Sequence, residues 1–308
     1  GGAVGSGGGA VRGVVVALGN FDGVHLGHRA VIRAAAEEGA RLGIPVFAAT
    51  FWPHPREVLS PGGGPPLLTT LEQRKELLLG CGVDEVRVVK FDSGMARKSP
   101  REFVEEVLLG ELGACVVVVG ENFRFGHRAA GSTEDLKELM RRSGGRVRVV
   151  GLERGDGERV SSTRIRELIA RGEVREAARL LGRPHAVRGE VREGEKRGRK
   201  IGFPTANVVP DAQVAVPARG VYAGFVRVEG EEHAACTNVG VAPTFGGRVV
   251  RVEAHILDFQ GDLYGRTVDV AFDERIRSER RFSGVKELRA QIATDVHKAR
   301  EILQGKTF

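Results

Sequence analysis

The residues best suited to chemistry fall in two separate stretches. The first, Gly19-Asn-Phe-Asp-Gly-Val-His-Leu-Gly-His28, follows an apolar run and opens a helix-like pattern. Gly19 and Gly23 permit a tight turn there, and a helix N-terminus offers unsatisfied N–H groups and a positive dipole end to phosphate. His25 and His28 stand three apart with Gly27 between them, so a phosphate can approach the backbone while both imidazoles reach it. Nucleotidyl transfer requires no nucleophilic side chain. It requires in-line positioning and neutralisation of the charge that builds on phosphate oxygens. An isolated His-x-Gly-His reads equally as a polar helix cap, but a strand-to-helix junction is where doubly wound folds bind ligands, and this favours the chemical reading.

Two further segments suit the same site. Gly120-Glu-Asn-Phe-Arg-Phe-Gly126 follows another strand-like run and offers Asn122 to a nucleotide and Arg124 to phosphate. Ser161, Ser162 and Thr163 stand at a predicted helix start with Arg166 one turn in, a second anion-binding terminus. Taken singly, those hydroxyls read as a cap.

The second stretch is Arg197-Gly-Arg-Lys-Ile-Gly-Phe-Pro-Thr-Ala-Asn207. Gly198 and Gly202 allow a close loop, Arg199 and Lys200 bring positive charge, and Pro204 stiffens the run into Thr205 and Asn207. These last two share one face of an extended segment. A hydroxyl and an amide oxygen are hard ligands suited to Mg²⁺, although an isolated Pro-Thr-Ala-Asn also fits a turn with a capping threonine. Glu253, between Val252 and Ala254, puts a carboxylate on one face of a predicted strand. Within hydrogen-bond reach of a bound alcohol it is a candidate general base; on its own it is an exposed strand glutamate.

The elements that must position these residues follow from hydrophobic patterning. Apolar runs at 14–18, 45–50, 85–91, 115–119 and 146–150 alternate with helix-like stretches at 29–42, 71–79, 100–109 and 133–142. This predicts an α/β domain, a doubly wound parallel sheet buried on both faces. Two shorter helices are expected at 164–170 and 174–181. After Gly182, short β-like segments at 186–191, 221–229, 233–239, 249–256 and 267–272 predict a small antiparallel barrel or sandwich, closed by a helix over 284–303. The expected organisation is a flexible Gly-rich tail over 1–13, one domain over 14–182 and another over 183–308.

The chain has 308 residues, 41% hydrophobic and 28% charged, enough for two cores. Its apolar runs are too short for a membrane span and it shows no signal-peptide pattern, so a cytosolic location and no membrane partner are expected. Cys81, Cys115 and Cys236 are scattered without a Cys-x-x-Cys pair, which argues against disulfides and structural zinc. The net charge of +7 suits anionic ligands. The densest basic stretch, 192–200, is broken by Glu193 and Glu195, and no nucleic-acid partner is expected.

The segments Gly19–His28, Gly120–Gly126 and Ser161–Arg166, with Trp52-Pro-His-Pro55, resemble the nucleotidyltransferase half of the bacterial bifunctional riboflavin kinase/FMN adenylyltransferases, the FAD synthetases. His-x-Gly-His alone equally suits cytidylyltransferases, pantetheine-phosphate adenylyltransferase or a class I aminoacyl-tRNA synthetase. The second half decides. Gly202-Phe-Pro-Thr-Ala-Asn207, Gly220–Tyr222, Asn238–Phe245, the strand carrying Glu253 and Asp262-Leu-Tyr-Gly265 look like the riboflavin kinase domain, in the family's order.

The resemblance implies that ATP is the co-substrate of both reactions and that riboflavin, FMN and FAD are substrates or products. In the first half, ATP would be held by Gly19, Asn20, Phe21, Asp22, His25, His28, Asn122, Arg124, Ser161, Ser162, Thr163 and Arg166. In the second it would be held by Gly198, Lys200, Gly202, Pro204, Thr205 and Asn207. Thr205 and Asn207 would also hold Mg²⁺, and Glu253 would deprotonate the ribityl 5′-hydroxyl. Two departures stand out: Asn122 replaces a frequent aspartate, and His185 a frequent aromatic residue. A flavin-binding homologue lacking one or both activities is the alternative.

Overall fold

The computed structural model describes residues 13–60, 62–151, 154–155, 158–194, 198, 201–244 and 247–307. The Gly-rich segment expected to be a tail lies, apart from Gly13, outside them. The chain divides into two compact units, one comprising the chain to Pro65 with Arg74–Arg154, the other Pro66–Gln73 with Gly155 onward.

In the first unit, β1 (Val14–Leu18), β2 (Val46–Trp52), β3 (Glu85–Lys90), β4 (Ala114–Gly120) and β5 (Arg146–Val150) form a five-stranded sheet in the order β3-β2-β1-β4-β5. All four pairings are parallel. Successive side chains of a strand point to opposite faces, so uniformly apolar strands feed two cores. Val16 and Leu18 join Ala49, Val117 and Val119 on one face. Val15 and Ala17 join Val46, Ala48, Val116 and Val118 on the other. Helix α1 (Leu26–Leu42) covers the second face with Val31, Ile32, Ala34 and Ala35, and stops at Gly43. The first face takes the helix α5 that starts at Pro100 and runs on as a π-type turn to Glu111, burying Phe103, Val104, Val107 and Leu108. Its start is capped: Ser99 and Glu102 form a reciprocal capping box. Short helices α2 (Pro55–Leu59) and α4 (Ser93–Arg97), α3 (Leu71–Leu79) and α6 (Thr133–Arg142) fill the connections.

β1 pairs with β2 on one side and β4 on the other, so the switch point of the sheet lies between β1 and β4. Ligands bind in the crevice outside the carboxyl ends of strands at such points.

A two-residue pairing, β6 (Arg154–Gly155) with β7 (Glu158–Arg159), lies where the chain passes into the second unit. There α7 (Ser162–Arg171) and α8 (Val174–Leu181) pack Ile165, Leu168, Ile169, Ala177 and Leu181 around Leu68. Backbone bonds from Leu67 to Gln213 O and from Ala215 to Leu67 O tie the 66–73 segment to this unit.

The barrel is closed and six-stranded, in the order β10-β11-β12-β9-β8-β13. Its strands are β8 (His185–Arg192), β9 (Ala206–Pro210), β10 (Gly220–Val228), β11 (Glu231–Thr244), β12 (Gly247–Ile256) and β13 (Thr267–Arg277). Closure, through β13 pairing with both β8 and β10, resolves the barrel-or-sandwich alternative, because it leaves no edge strand. Val191, Val208, Val239, Val252, Ala254 and Phe272 are buried inside. Helix α9 (Val285–Leu303) packs Ala299 and Leu303 on the outer face against Val221, Ala223, Phe225 and Cys236.

Asp295 of α9, 3% exposed, takes a bidentate pair from Arg277 at 2.7–3.0 Å and a bond from Gln291 at 2.8 Å. Removing one partner of a buried pair strands the other. Asp295→Ala is therefore expected to lower the opening free energy of α9 amides by about 3 kcal/mol in hydrogen exchange.

Burial pushes the Cys236 thiol up to about 12. Only thiolates react readily, so a maleimide at pH 8 should modify half-buried Cys81 in the native protein and reach Cys236 only after denaturation.

Candidate active sites

At the first sheet's carboxyl edge, Gly19 donates its N–H to Ala49 O at 3.2 Å, and the chain then leaves β1 through a tightly wound loop. Phe21 (φ 50°), Gly23 (φ 85°) and Val24 (φ 41°) all lie in the left-handed region. Only glycine adopts this readily, and each other residue costs of order 1–3 kcal/mol. For β-branched Val24 it is a true outlier. Gly19 takes no such conformation, so Gly23 alone supplies the expected glycine turn. Phe21 and Val24 turn into the core, 1% and 0% exposed.

The loop delivers His25 as N-cap of α1, its Nδ1 accepting the His28 backbone N–H at 3.2 Å. The two imidazoles stack with centroids 3.5 Å apart and planes 16° from parallel. A Cβ on Gly27 would meet the His25 ring at 3.2 Å, a tight contact that the glycine between the histidines avoids. Phe21 supports His28 edge-on at 5.3 Å. The first turn of α1 holds no acidic residue, and its N–H groups and paired rings present donors to an anion.

From the carboxyl end of β4, the 120–126 segment leaves at the same switch point, with Asn122 and Arg124 exposed. Phe125 turns inward, pairing with Gly131 through two backbone bonds. Asn20 is exposed beside the loop, whereas Asp22, 1% exposed, is turned inward onto Arg74. The Ser161–Arg166 segment belongs to the second unit. Ser161 caps α7 by accepting the Arg164 N–H at 3.3 Å, and Arg166 Nε donates to Pro66 O at 2.6 Å.

The barrel carries the second site. Val252 and Ala254 are fully buried inside while Arg251, Glu253 and His255 point out and are half-buried. The antiparallel register places Glu253 directly opposite Asn207 of β9 on one side and Asn238 of β11 on the other. Directly opposed side chains have Cβ atoms about 4.5–5.5 Å apart, so the carboxylate and the Asn207 amide address the same point. A cavity of about 720 Å³ is bounded there by Gly198, Pro204, Thr205, Asn207, Arg251 and Glu253, facing Phe259, Asp262 and Tyr264. His255 Nδ1 lies 2.8 Å from Pro204 O, fixing the start of the Pro-Thr-Ala-Asn run against β12. Gly198 O accepts the N–H groups of Ile201 and Phe203, the close loop expected. Gly202 is not among the lining residues, and Lys200 lies outside the described residues.

The donor set fits a hard cation. Thr205 and Asn207 both line the cavity and offer it neutral oxygens. Among the described residues no three His, Cys, Asp or Glu side chains cluster to hold a metal; Mg²⁺ at such a place takes its other ligands from phosphates and water.

Comparison with known proteins matches the two halves to two families. Residues 9–164 match the family model described as FAD synthetase, and residues 181–303 the one described as riboflavin kinase. The bifunctional riboflavin kinase/FMN adenylyltransferase of Escherichia coli K12 is 39% identical over 291 residues, 94% of this chain and 93% of its own length. The chain belongs to the bifunctional riboflavin kinase/FMN adenylyltransferase family. A Bacillus subtilis member is 37% identical over 289 residues, covering 92% of this chain and 91% of its own. A crystal structure from Streptococcus pneumoniae, described as a macrolide-efflux protein, has a TM-score of 0.86 at 35% identity and covers 95% of both chains. Efflux is said of that protein alone. Among the described residues here, no helix is long and apolar enough to cross a membrane.

His185 is 2% exposed with Nε2 2.7 Å from Ala215 O, a backbone anchor. His54 of the Trp-Pro-His-Pro run caps α2, its Nδ1 accepting the Arg56 N–H at 3.2 Å. Sequence reasoning missed Arg74, which is wholly buried behind the histidine loop. It also missed an aromatic wall in which Phe91, Phe51, Phe103, Phe125 and Phe123 follow one another at centroid distances of 5.6–6.3 Å. The phenylalanine pattern is visible in the sequence; its convergence is not.

Proposed function

We propose that the two sites divide the making of FAD between them, riboflavin being phosphorylated at the barrel cavity and FMN adenylylated at the histidine loop. In the first step the ribityl 5′-oxygen attacks the γ-phosphorus of ATP, the bond to the β–γ bridging oxygen breaks, and ADP leaves. Glu253 takes the hydroxyl proton. Thr205 and Asn207 hold Mg²⁺, which when bound neutralises charge on the phosphates, and the Gly198 turn with Pro204 and Lys200 cradles them. In the second step an FMN phosphate oxygen attacks the α-phosphorus of another ATP and pyrophosphate departs. His25 and His28 donate to the oxygens where charge accumulates, with Asn122 and Arg124 gripping the nucleotide; the Ser161–Arg166 helix start is an anion-binding terminus of its own.

The observation that carries this reading is the register of Glu253 against Asn207 inside one cavity: a base and a metal ligand brought together by strand pairing. The domain boundary is put near Gly182, a reading supported by the two family matches, which end at 164 and begin at 181. The enzyme works in the cytosol on small molecules, without nucleic acid or membrane; the net charge of +7 is accounted for by anionic substrates.

The test is a single tube of purified protein, riboflavin, ATP and Mg²⁺, sampled over time and separated by chromatography. FMN should appear first and FAD follow, both requiring Mg²⁺. Flavin binding without either product would instead identify a homologue that has lost turnover.

A further inference from the structure

We infer that the buried Arg74–Asp22 pair is the positioning device of the adenylyl-transfer centre, holding the wound loop that sets His25 and His28. Arg74 comes from α3 and is completely buried, as are its neighbours Asp22 and Thr50. Its Nη2 lies 3.3 Å from Asp22 Oδ1, and its Nη1 donates to Thr50 Oγ1 at 3.3 Å and to Phe51 O at 3.5 Å. Thr50 Oγ1 in turn donates to Asn20 O at 2.8 Å. The guanidinium also lies 5.7 Å from the centre of the Trp52 ring. One planar group thus joins the end of β2 to both ends of the Asn20–Asp22 turn. Arginine suits this task because its rigid fork donates in several directions at once, which an ammonium on a flexible stem does not match.

What needs holding is evident from the backbone. Three of the four residues from Phe21 to Val24 are left-handed, two of them not glycine. Such conformations persist only where the surroundings over-determine them, and they cluster where function needs a fixed geometry. The residue after Val24 is His25, and Arg29 Nε reaches back to Val24 O at 3.4 Å. If the loop relaxed, the cap of α1 and the stacked rings would move with it. A buried ion pair is weak support for stability alone, since apolar replacements of similar volume often serve as well. Its presence directly behind the strained loop points to geometry.

This rests on the reading that His25 and His28 attend adenylyl transfer, so His28→Ala is assayed alongside. The informative variant is Arg74→Met with Asp22→Leu, which removes both charges and strands neither. It should retain the wild-type melting temperature within a few degrees and phosphorylate riboflavin at the wild-type rate. Its kcat for FMN adenylylation should fall ~100-fold with KM for ATP little changed, as misplacement of reacting groups predicts. Arg74→Lys should recover only part of the loss. If the double variant adenylylates FMN with wild-type kcat while His28→Ala does not, the positioning proposal is overturned and the site reading stands. If His28→Ala keeps full activity, the site reading itself fails. Should the double variant not fold, Asp22→Asn decides: it keeps the shape and loses the charge, and unchanged kcat in folded protein would overturn the proposal.

Discussion

His28→Ala is expected to stop the reaction at FMN. The bond that starts α1 runs from the backbone N–H of residue 28 to His25 Nδ1, so alanine keeps the cap and the helix start. What disappears is the imidazole stacked on His25 and braced by Phe21. Losing one preorganised donor at a centre of developing charge costs about 10²–10³-fold in rate. FAD formation should fall by that factor while riboflavin is phosphorylated as in wild type, and chromatography should show FMN accumulating. The kinase step serves as an internal control, since its site lies in the other unit. Normal FAD formation by this variant would remove His28 from the chemistry.

The complementary result is expected of Glu253→Gln. The side chain is half-buried on the outer face of β12, while the barrel interior is built from Val252 and Ala254. The amide keeps the shape and loses the base, so folding should be unaffected. Positioned proton transfer is worth about 10²–10⁴-fold, and FMN formation from riboflavin should drop within that range. Added FMN should still be converted to FAD at the wild-type rate. A variant that phosphorylates riboflavin normally would show that the hydroxyl loses its proton to another group. Together the two variants predict opposite blocks in one pathway, a pattern that general destabilisation does not produce.

Much of this arrangement is written locally in the chain. The run Val14–Leu18 is a strand as its uniform apolarity predicts, because a parallel sheet buried on both faces needs no polar alternation. The alternation around Glu253 places a carboxylate outside a barrel whose interior takes Val252 and Ala254, since strand periodicity is a local rule. Strand spacing alone leaves barrel and sandwich open, because closure depends on β13 pairing with strands far away in sequence; the family resemblance is what points to the barrel.

Arg74 escaped for a different reason. It sits among Glu72, Lys75 and Glu76 in a helix and reads as part of a solvated face; only tertiary packing puts it behind the histidine loop. The resemblance implies an ATP contact for Asp22, yet its carboxylate is buried against Arg74. The Ser161–Arg166 segment is legible as a helix start, and Ser161 is its cap. That it belongs to the second unit follows from packing of Ile165 and Leu168 on Leu68, which no local signal announces.

The most direct measurement is a crystal structure of the protein with Mg²⁺ and a non-hydrolysable ATP analogue. Two nucleotides per chain are expected, one with its α-phosphate at the His25 and His28 rings, the other with its terminal phosphate beside Glu253 and a Mg²⁺ held by Thr205 and Asn207. Nucleotide at neither place, or a terminal phosphate rather than an α-phosphate at the histidines, would contradict the account.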